Sequence, residues 1–367
     1  MRLLHLTQDL AAGGAQRQLS YLAPALADMG HEVHVAFVDG GPNLSRLEAS
    51  GAVLHHIGRG SRQVSRGRGW HNYDPRVLPR LSALIRKIEP DLAQTWIQHM
   101  DIFGGPACRW AGVPWILREP GSAIAYPKSL KTLARIAIAQ AASLVVVNSA
   151  EGERSWIRQA AKVPRVLIPN GVPVDEIEKT KPAPFAETGI LFAGRFEECK
   201  NLPKLVPALF EVLRNWPGSA ACLCGRGPEL EWVRVRAEKE GMAGRMLLPG
   251  VVTDLWAKLR SAAAFVSVSL YEGCPNAVLE AMAAGCPLVV SDIPAHRALL
   301  DDQSAWFVDP GDSAAIACAI LSAVSCRAEA SRRAECAKAL VPAFSVPAMA
   351  HRYDEVYRGL AKGAACL

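Results

Sequence analysis

Glu272-Gly273-Cys274-Pro275-Asn276-Ala277-Val278-Leu279-Glu280 sets two carboxylates eight positions apart, the first in a Gly/Pro turn and the second inside an expected helix. The apolar run Ala264 to Leu270 ahead of it reads as a strand. Asn276 then opens a helix that runs through Glu280-Ala281-Met282-Ala283-Ala284 and stops at Gly285, with Pro287 beyond, the usual order of stop signals. Backbone N–H groups between residues 273 and 277 therefore lie at a helix N-terminus, where unsatisfied donors and the macrodipole favour a phosphate. Glu280, one turn deeper, is placed to accept hydrogen bonds from a vicinal diol such as a ribose. Glu272, in the loop, is placed to meet a second polyol. Sugar, phosphate and sugar at one helix end outline a nucleotide sugar.

A second cluster points the same way. Gly189-Ile190-Leu191-Phe192-Ala193-Gly194-Arg195-Phe196 is an apolar strand running into Gly-Arg, and Lys200-Asn201 follow just before a helix expected over residues 201–214. Arg195 and Lys200 thus flank a strand-to-helix turn, at the carboxyl edge of a parallel sheet where doubly wound folds bind ligands. Arg offers a planar fork for phosphate oxygens and Lys a mobile point charge. Either cluster alone would also suit a solvated surface; their combination makes the case.

In this order, Gly194-Arg195…Lys200-Asn201 and the Glu-x7-Glu stretch resemble the C-terminal domain of retaining glycosyltransferases of family 4 (glycosyl transferases group 1). The resemblance extends over nearly the whole chain. Gly13-Gly14-Ala15-Gln16-Arg17 looks like the family's glycine-rich donor loop, Val145 to Ser149 like the last N-terminal strand, and Ile168 to Val172 like the run into a linker. Gly225-x-Gly227-Pro228-Glu229 and Leu248-Pro249-Gly250-Val251 match the middle of the second domain, and Ala348 to Leu360 its final helix. The resemblance implies an α/β GT-B fold: two facing Rossmann-like domains with parallel sheets and a C-terminal helix crossing back to the first. Residues 1–172 are then the acceptor-side domain, 173–188 the linker, 189–345 the nucleotide-sugar domain and 346–367 the crossover helix and tail.

The same resemblance implies the chemistry. The bond from the anomeric carbon to the donor phosphate breaks, the acceptor hydroxyl attacks from the same face, and the leaving diphosphate takes the proton. Preorganised positive groups stabilise the charge that develops there. Arg195, Lys200 and Glu272 are the expected catalytic residues. The expected donor contacts are Gly13, Gly14, Gly194, Arg195, Lys200, Gly225, Gly273, Cys274, Pro275, Asn276 and Glu280, with backbone near Gly250–Thr253 reading the base. Glycine at 13 and 14 lets backbone approach a ligand closely. The chain has no Asp-x-Asp pair, so neither a metal nor another cofactor is expected. One departure concerns the histidine that many members carry after the fourth or fifth strand, facing sugar or acceptor. Here that stretch is Ile116 to Ser122, without His, so Arg118 or Glu119 takes the place. His99, at the end of an expected strand Leu92–Ile97, is a further acceptor-side candidate, and His296 follows a buried-looking strand.

A chain of 367 residues, half hydrophobic and a fifth charged, suits two globular domains. Leu3–Thr7, Val33–Val38, Leu92–Ile97, Trp115–Arg118 and Leu144–Asn148 are near-continuous apolar runs, as in a parallel sheet covered on both faces. Pro169 to Thr188, rich in Pro, Glu and Lys, reads as the linker region. No apolar run reaches the length of a spanning helix, and Met1-Arg2 leads directly into a strand, so a cytoplasmic protein with reduced thiols is expected. Cys222-x-Cys224 falls in a strand and no zinc-like CxxC pair occurs.

Residues 1–175 hold 20 Lys/Arg against 13 Asp/Glu, and the remainder 21 against 22. The excess sits around Arg59 to Lys87 and in Tyr126 to Ile136, where cations and aliphatics recur at helical spacing. An anionic membrane surface at the inner face of the membrane is the expected partner of this charge, beside a nucleotide-sugar donor and a lipid-linked or polysaccharide acceptor. No nucleic-acid module accompanies it. Neither Gly13-Gly14 nor Gly225-x-Gly227 has the G-x-G-x-x-G spacing of a dinucleotide oxidoreductase, and no pyridoxal lysine site of a phosphorylase is recognisable. A GT-B epimerase, or a non-catalytic homologue serving as partner subunit, are the alternatives; the intact set Arg195, Lys200, Glu272 and Glu280 argues for the transferase.

Overall fold

The computed structural model describes residues 1–58, 76–121, 129–183 and 189–362. The chain divides into two compact units, Met1–Gly171 with Val346–Leu367, and Val172–Ser345.

The first unit is built on seven parallel strands: β1 (Arg2–Asp9), β2 (Glu32–Asp39), β3 (Val53–His56), β4 (Leu92–Trp96), β5 (Trp115–Glu119), β6 (Leu144–Val147) and β7 (Arg165–Leu167). They lie in the order β3-β2-β1-β4-β5-β6-β7. Neighbouring residues of one strand feed opposite cores: Leu3 packs with Leu19, Trp96 and Ile116, whereas Leu4 and Leu6 pack with Leu81, Met100 and Leu117. Both faces are covered, which is why these strands read as continuous apolar runs rather than alternating ones. The Leu144–Val147 segment is not the last strand of this unit, because the short β7 follows it. The expected strand Leu92–Ile97 is cut one residue short. Ile97 adopts φ 72 and opens the helix Ile97–Trp110. That conformation is disfavoured for a β-branched residue, so no apolar pattern announces it.

The helix Val346–Ala361 belongs to this unit and buries Met349, Ala350, Tyr353 and Tyr357 against it. Tyr357 Oη donates to Gln94 Oε1 at 2.7 Å, and Asp354 Oδ1 lies 2.8 Å from His31 Nε2. Each fully buried aromatic of this kind contributes about 1.5–3 kcal/mol by transfer alone.

The second unit carries six parallel strands: β8 (Gly189–Ala193), β9 (Ala220–Cys224), β10 (Met246–Gly250), β11 (Ala264–Ser267), β12 (Leu288–Ser291) and β13 (Trp306–Val308), in the order β10-β9-β8-β11-β12-β13. Ile190, Phe192 and Val266 face one core, Leu191, Phe265 and Val290 the other. The strand expected over Ala264–Leu270 ends at Ser267, which leaves residues 268–275 as a loop. The stretch expected as linker carries a helix, Val174–Lys179, whose Ile177 is buried in this unit's core. Residues 59–75 and 122–128, which hold much of the basic sequence singled out above, lie outside the described residues. Among the described residues no single helix is long and apolar enough to cross a membrane.

Candidate active site

In the second sheet β8 and β11 lie side by side, yet the chain leaves β8 toward β9 on one side and β11 toward β12 on the other. A crevice opens at the carboxyl ends of two such strands, the place where open α/β sheets bind ligands. The loops after these two strands carry the two sequence clusters. Glu198–Lys200 form a single 3-10 turn, closed by Asn201 at φ 57, ψ 40, a left-handed conformation that Asn tolerates better than most residues. Asn201 is buried, and its Nδ2 donates to Val268 O at 3.2 Å and Pro310 O at 2.7 Å. Leu270 N donates to Cys199 O at 2.8 Å. These bonds fasten the Lys200 turn to the loop that carries Glu272.

The consequence is a direct pair: the Lys200 ammonium donates to Glu272 Oε1, which also accepts from Ser269 Oγ at 2.7 Å. Behind them Ser291 Oγ donates to Ser269 O at 2.6 Å, and His296, wholly buried, donates from Nδ1 to Ser291 O at 2.8 Å. Burial acts to raise the Glu272 carboxyl, but the charge and hydrogen bond of Lys200 and the Ser269 hydroxyl outweigh it and hold the group below the ordinary carboxylate range. Glu272 is therefore an anion at neutral pH. Burial pushes His296 down, only partly opposed by its bond to Ser291 O and by Glu272, so the ring is neutral. Ser269 and Ser291 are supporting residues that the sequence reading passed over, and neither left a local signal; Asn201 is quoted there beside Lys200, without a role of its own.

Gly225 shows why glycine is required between the two clusters. It sits at φ +146, and a Cβ there would lie 1.8 Å from Gly194 O. Gly194 N donates to Cys224 O at 3.0 Å and Gly225 N to Gly250 O at 2.8 Å, so the three loops pack backbone to backbone. Gly194 in turn lies under the Lys200 stem, 3.3 Å from Cε to where a Cβ would stand. Arg195 leaves this floor for solvent: its side chain is 66% exposed, with Nη1 3.1 Å from Glu197 Oε1. It is not brought into contact with the Lys200–Glu272 pair.

The helix Asn276–Ala284 begins where expected and ends on Gly285 at φ 69. Pro275 is its N-cap and no side chain caps it, so the end keeps the anion-favouring character of an open helix N-terminus. Gly273 and Cys274 are half-buried in the turn before it, and Glu280 is 2% exposed inside it.

In the first unit β1 and β4 are the corresponding neighbours. Gly13 caps the helix Gly14–Asp28 that follows β1, and its missing Cβ makes room for Gln16, whose Nε2 donates to Asp9 Oδ1 at 2.6 Å. His99 lies in the first turn of the helix Ile97–Trp110 after β4, not at a strand end. Burial above all, and next the charge of Lys131, push it down to about 4 against the opposing pull of Asp9. It is a neutral imidazole at pH 7. Arg118 is 1% exposed, donating to Tyr353 Oη at 2.9 Å and Asn170 Oδ1 at 2.7 Å, with its guanidinium 4.6 Å from the centre of the Trp96 ring. Glu119 accepts from Arg135 Nη1 at 2.7 Å and Trp156 Nε1 at 3.2 Å, and Arg135 Nε also reaches Asp101 Oδ2 at 2.6 Å. Among the described residues no group of His, Cys, Asp and Glu is arranged to hold a metal ion.

Sequence models of known families match both units: residues 12–176 match Glycosyltransferase Family 4, and residues 187–325 match Glycosyl transferases group 1. The chain belongs to glycosyltransferase family 4. Its relatives within that family include a phosphatidyl-myo-inositol mannosyltransferase of Mycolicibacterium smegmatis, 27% identical over 82% of this chain and 78% of that protein. A shorter match, 33% identical over 46% of each chain, is to the enzyme of the same name from Mycobacterium leprae. An Escherichia coli UDP-Gal:alpha-D-GlcNAc-diphosphoundecaprenol alpha-1,3-galactosyltransferase is 26% identical over 64% of this chain and 66% of its own. The chain spans about half the length of several of the curated relatives it matches. Among solved structures, Anabaena HepE in complex with UDP-glucose superposes with a TM-score of 0.83 at 18% identity, covering 98% of this chain and 100% of that one. Sucrose-phosphate synthase from Thermosynechococcus elongatus gives 0.82 at 20% identity, covering 99% and 100%. This glycosyltransferase family 4 chain therefore has the GT-B fold of those neighbours.

Proposed function

We propose that the chain is a retaining glycosyltransferase that moves a sugar from a UDP-sugar to a hydroxyl of a lipid-linked or polysaccharide acceptor in cell-envelope glycan synthesis, working at the inner face of the membrane. The observation that carries this reading is the Lys200–Glu272 pair at the sheet's switch point, beside an uncapped helix N-terminus with Glu280 one turn in. Lys200 and Arg195, with the N–H groups at the start of the helix Asn276–Ala284, hold the donor diphosphate and stabilise the charge it gains as the anomeric C–O bond breaks. The acceptor oxygen bonds to the same face of that carbon, and its proton passes to the leaving diphosphate. Glu272 accepts hydrogen bonds from the transferred sugar, and Glu280 from the ribose. The binding of UDP-glucose by a solved neighbour and the lipid acceptors in the names of two relatives support the choice of donor and acceptor.

Thermal melting of the protein with UDP, GDP and ADP tests the donor site. A ligand at a hundred times its Kd stabilises the native state by about 2.7 kcal/mol. UDP is expected to raise the melting temperature, with the rise lost in Lys200→Ala and Glu280→Ala. A flat response to all three nucleotides would overturn the transferase reading.

A further inference from the structure

The first unit contains a cavity of about 620 Å³ between the helices Leu130–Ala139 and Ala150–Gln159, beyond the carboxyl end of β5. That volume lies in the range of small-molecule sites. Leu130, Leu133, Ile136 and Trp156 form its apolar walls. Its carboxylate and hydroxyl groups already have partners inside the protein, and Arg135, also in the lining, is ion-paired with Glu119 and Asp101. Glu119 accepts from Arg135 and Trp156, Ser129 Oγ accepts from Thr132 N at 3.2 Å, and Ser155 Oγ accepts from Gln159. A cavity with apolar walls whose carboxylate and hydroxyl groups are engaged in this way favours hydrocarbon. Leu130 and Leu133 line it while remaining 80% and 63% exposed, so it opens to solvent at these two leucines.

The cavity adjoins the ligand edge of the same sheet. Thr132 of its lining accepts from Gln98 Nε2 at 3.4 Å, and Gln98 precedes the neutral His99. We propose that this cavity takes the hydrocarbon chain of the acceptor lipid, leaving the hydroxyl-bearing head at the edge near His99. The inference rests on the lipid-acceptor reading above. It adds a chain-binding site that is separate from the donor residues.

Titration calorimetry of the full chain with hexyl, decyl and dodecyl phosphate, each below its micelle-forming concentration, tests it, with inorganic phosphate as the headgroup alone and UDP on the same samples. Burial at about 0.8 kcal/mol per CH₂ makes each added methylene strengthen binding about three- to fourfold until the cavity is full. Leu133→Asp, at an exposed position, is expected to weaken dodecyl phosphate at least tenfold, with UDP binding unchanged. Trp110→Ser, which removes an exposed apolar side chain outside the cavity, is expected to leave it unchanged. Affinity independent of chain length, equal binding of inorganic phosphate, or equal losses in Leu133→Asp and Trp110→Ser would each overturn the proposal. UDP binding with no alkyl phosphate binding sinks the cavity alone, whereas absent UDP binding sinks the transferase reading itself.

Discussion

Lys200 serves two purposes in the site as built. It keeps Glu272 ionised against the cost of burial, and in the proposed function it is also a cation for the donor phosphate. Lys200→Ala should therefore lower kcat/KM by roughly 10²–10³-fold, the usual loss for one preorganised donor to a developing anion. It should also change the pH dependence. Without the ammonium, burial raises the Glu272 carboxyl, so the acid limb of the kcat/KM profile moves to higher pH than in the parent. Lys200→Arg keeps a cation and should retain the parent limb. An unmoved limb in Lys200→Ala would show that Glu272 does not depend on Lys200. Both residues were legible because each sits in a recognisable stretch. The distant contacts that support them were not. Asn201 acts on Pro310 across 109 positions and Ser291 on Ser269 across 22, pairings that no local pattern encodes.

At the level of elements, the strands were legible because double-sided burial forces continuous apolar runs, and the helix Asn276–Ala284 because its turn and its Gly285 stop are local chemistry. What failed was the strand ends. Ile97, Val268 and Leu270 are apolar residues that suit a strand by composition, but they leave the sheet at the edge where the candidate site lies. The candidate site is built where the pattern is broken. The Gly225 crossing makes this testable, since two different penalties can be separated. Gly218→Ala places a side chain at φ +87 with nothing within 4 Å, so it carries backbone strain alone, on the order of 1–3 kcal/mol. Gly225→Ala adds a collision with Gly194 O, a backbone atom that cannot swing aside. Gly225→Ala should lower the melting temperature further than Gly218→Ala, and it alone should weaken UDP binding through displacement of the Gly194–Arg195 loop. Similar losses in both, with UDP binding intact, would show that the three-loop packing does not position the donor site. Asn201→Gly offers a second test, for it keeps the left-handed turn but removes both hydrogen bonds to Val268 and Pro310. A fall in UDP affinity in that variant measures how much the fastening of Lys200 matters.

Taken as a whole, the molecule folds around neutral histidines in both units. Burial, with a smaller push from His31, holds His5 down to about 3, and His99 is held to about 4; both lie in the first unit. His296, in the second, is likewise lowered. An unfolded histidine titrates near 6.5, so below that pH the unfolded chain binds protons that the folded chain refuses. Stability is thus fully present above about pH 6.5 and falls as pH drops toward the folded values. At pH 5 His5 alone costs about 2 kcal/mol, from one and a half pH units at about 1.36 kcal/mol each. Carboxylates with lowered values, such as Glu272 and Asp354, act in a different window: their contribution is lost only as pH falls below the ordinary carboxylate range. A decline between pH 7.5 and 5 therefore belongs to the histidines. Calorimetric melting across that interval should show the transitions of both units moving down, and His5→Asn should shrink the drop for the first unit while leaving the second as it was. If melting temperatures stay level from pH 7.5 to 5, the histidines are not held neutral by the fold, and the neutral His99 goes with them.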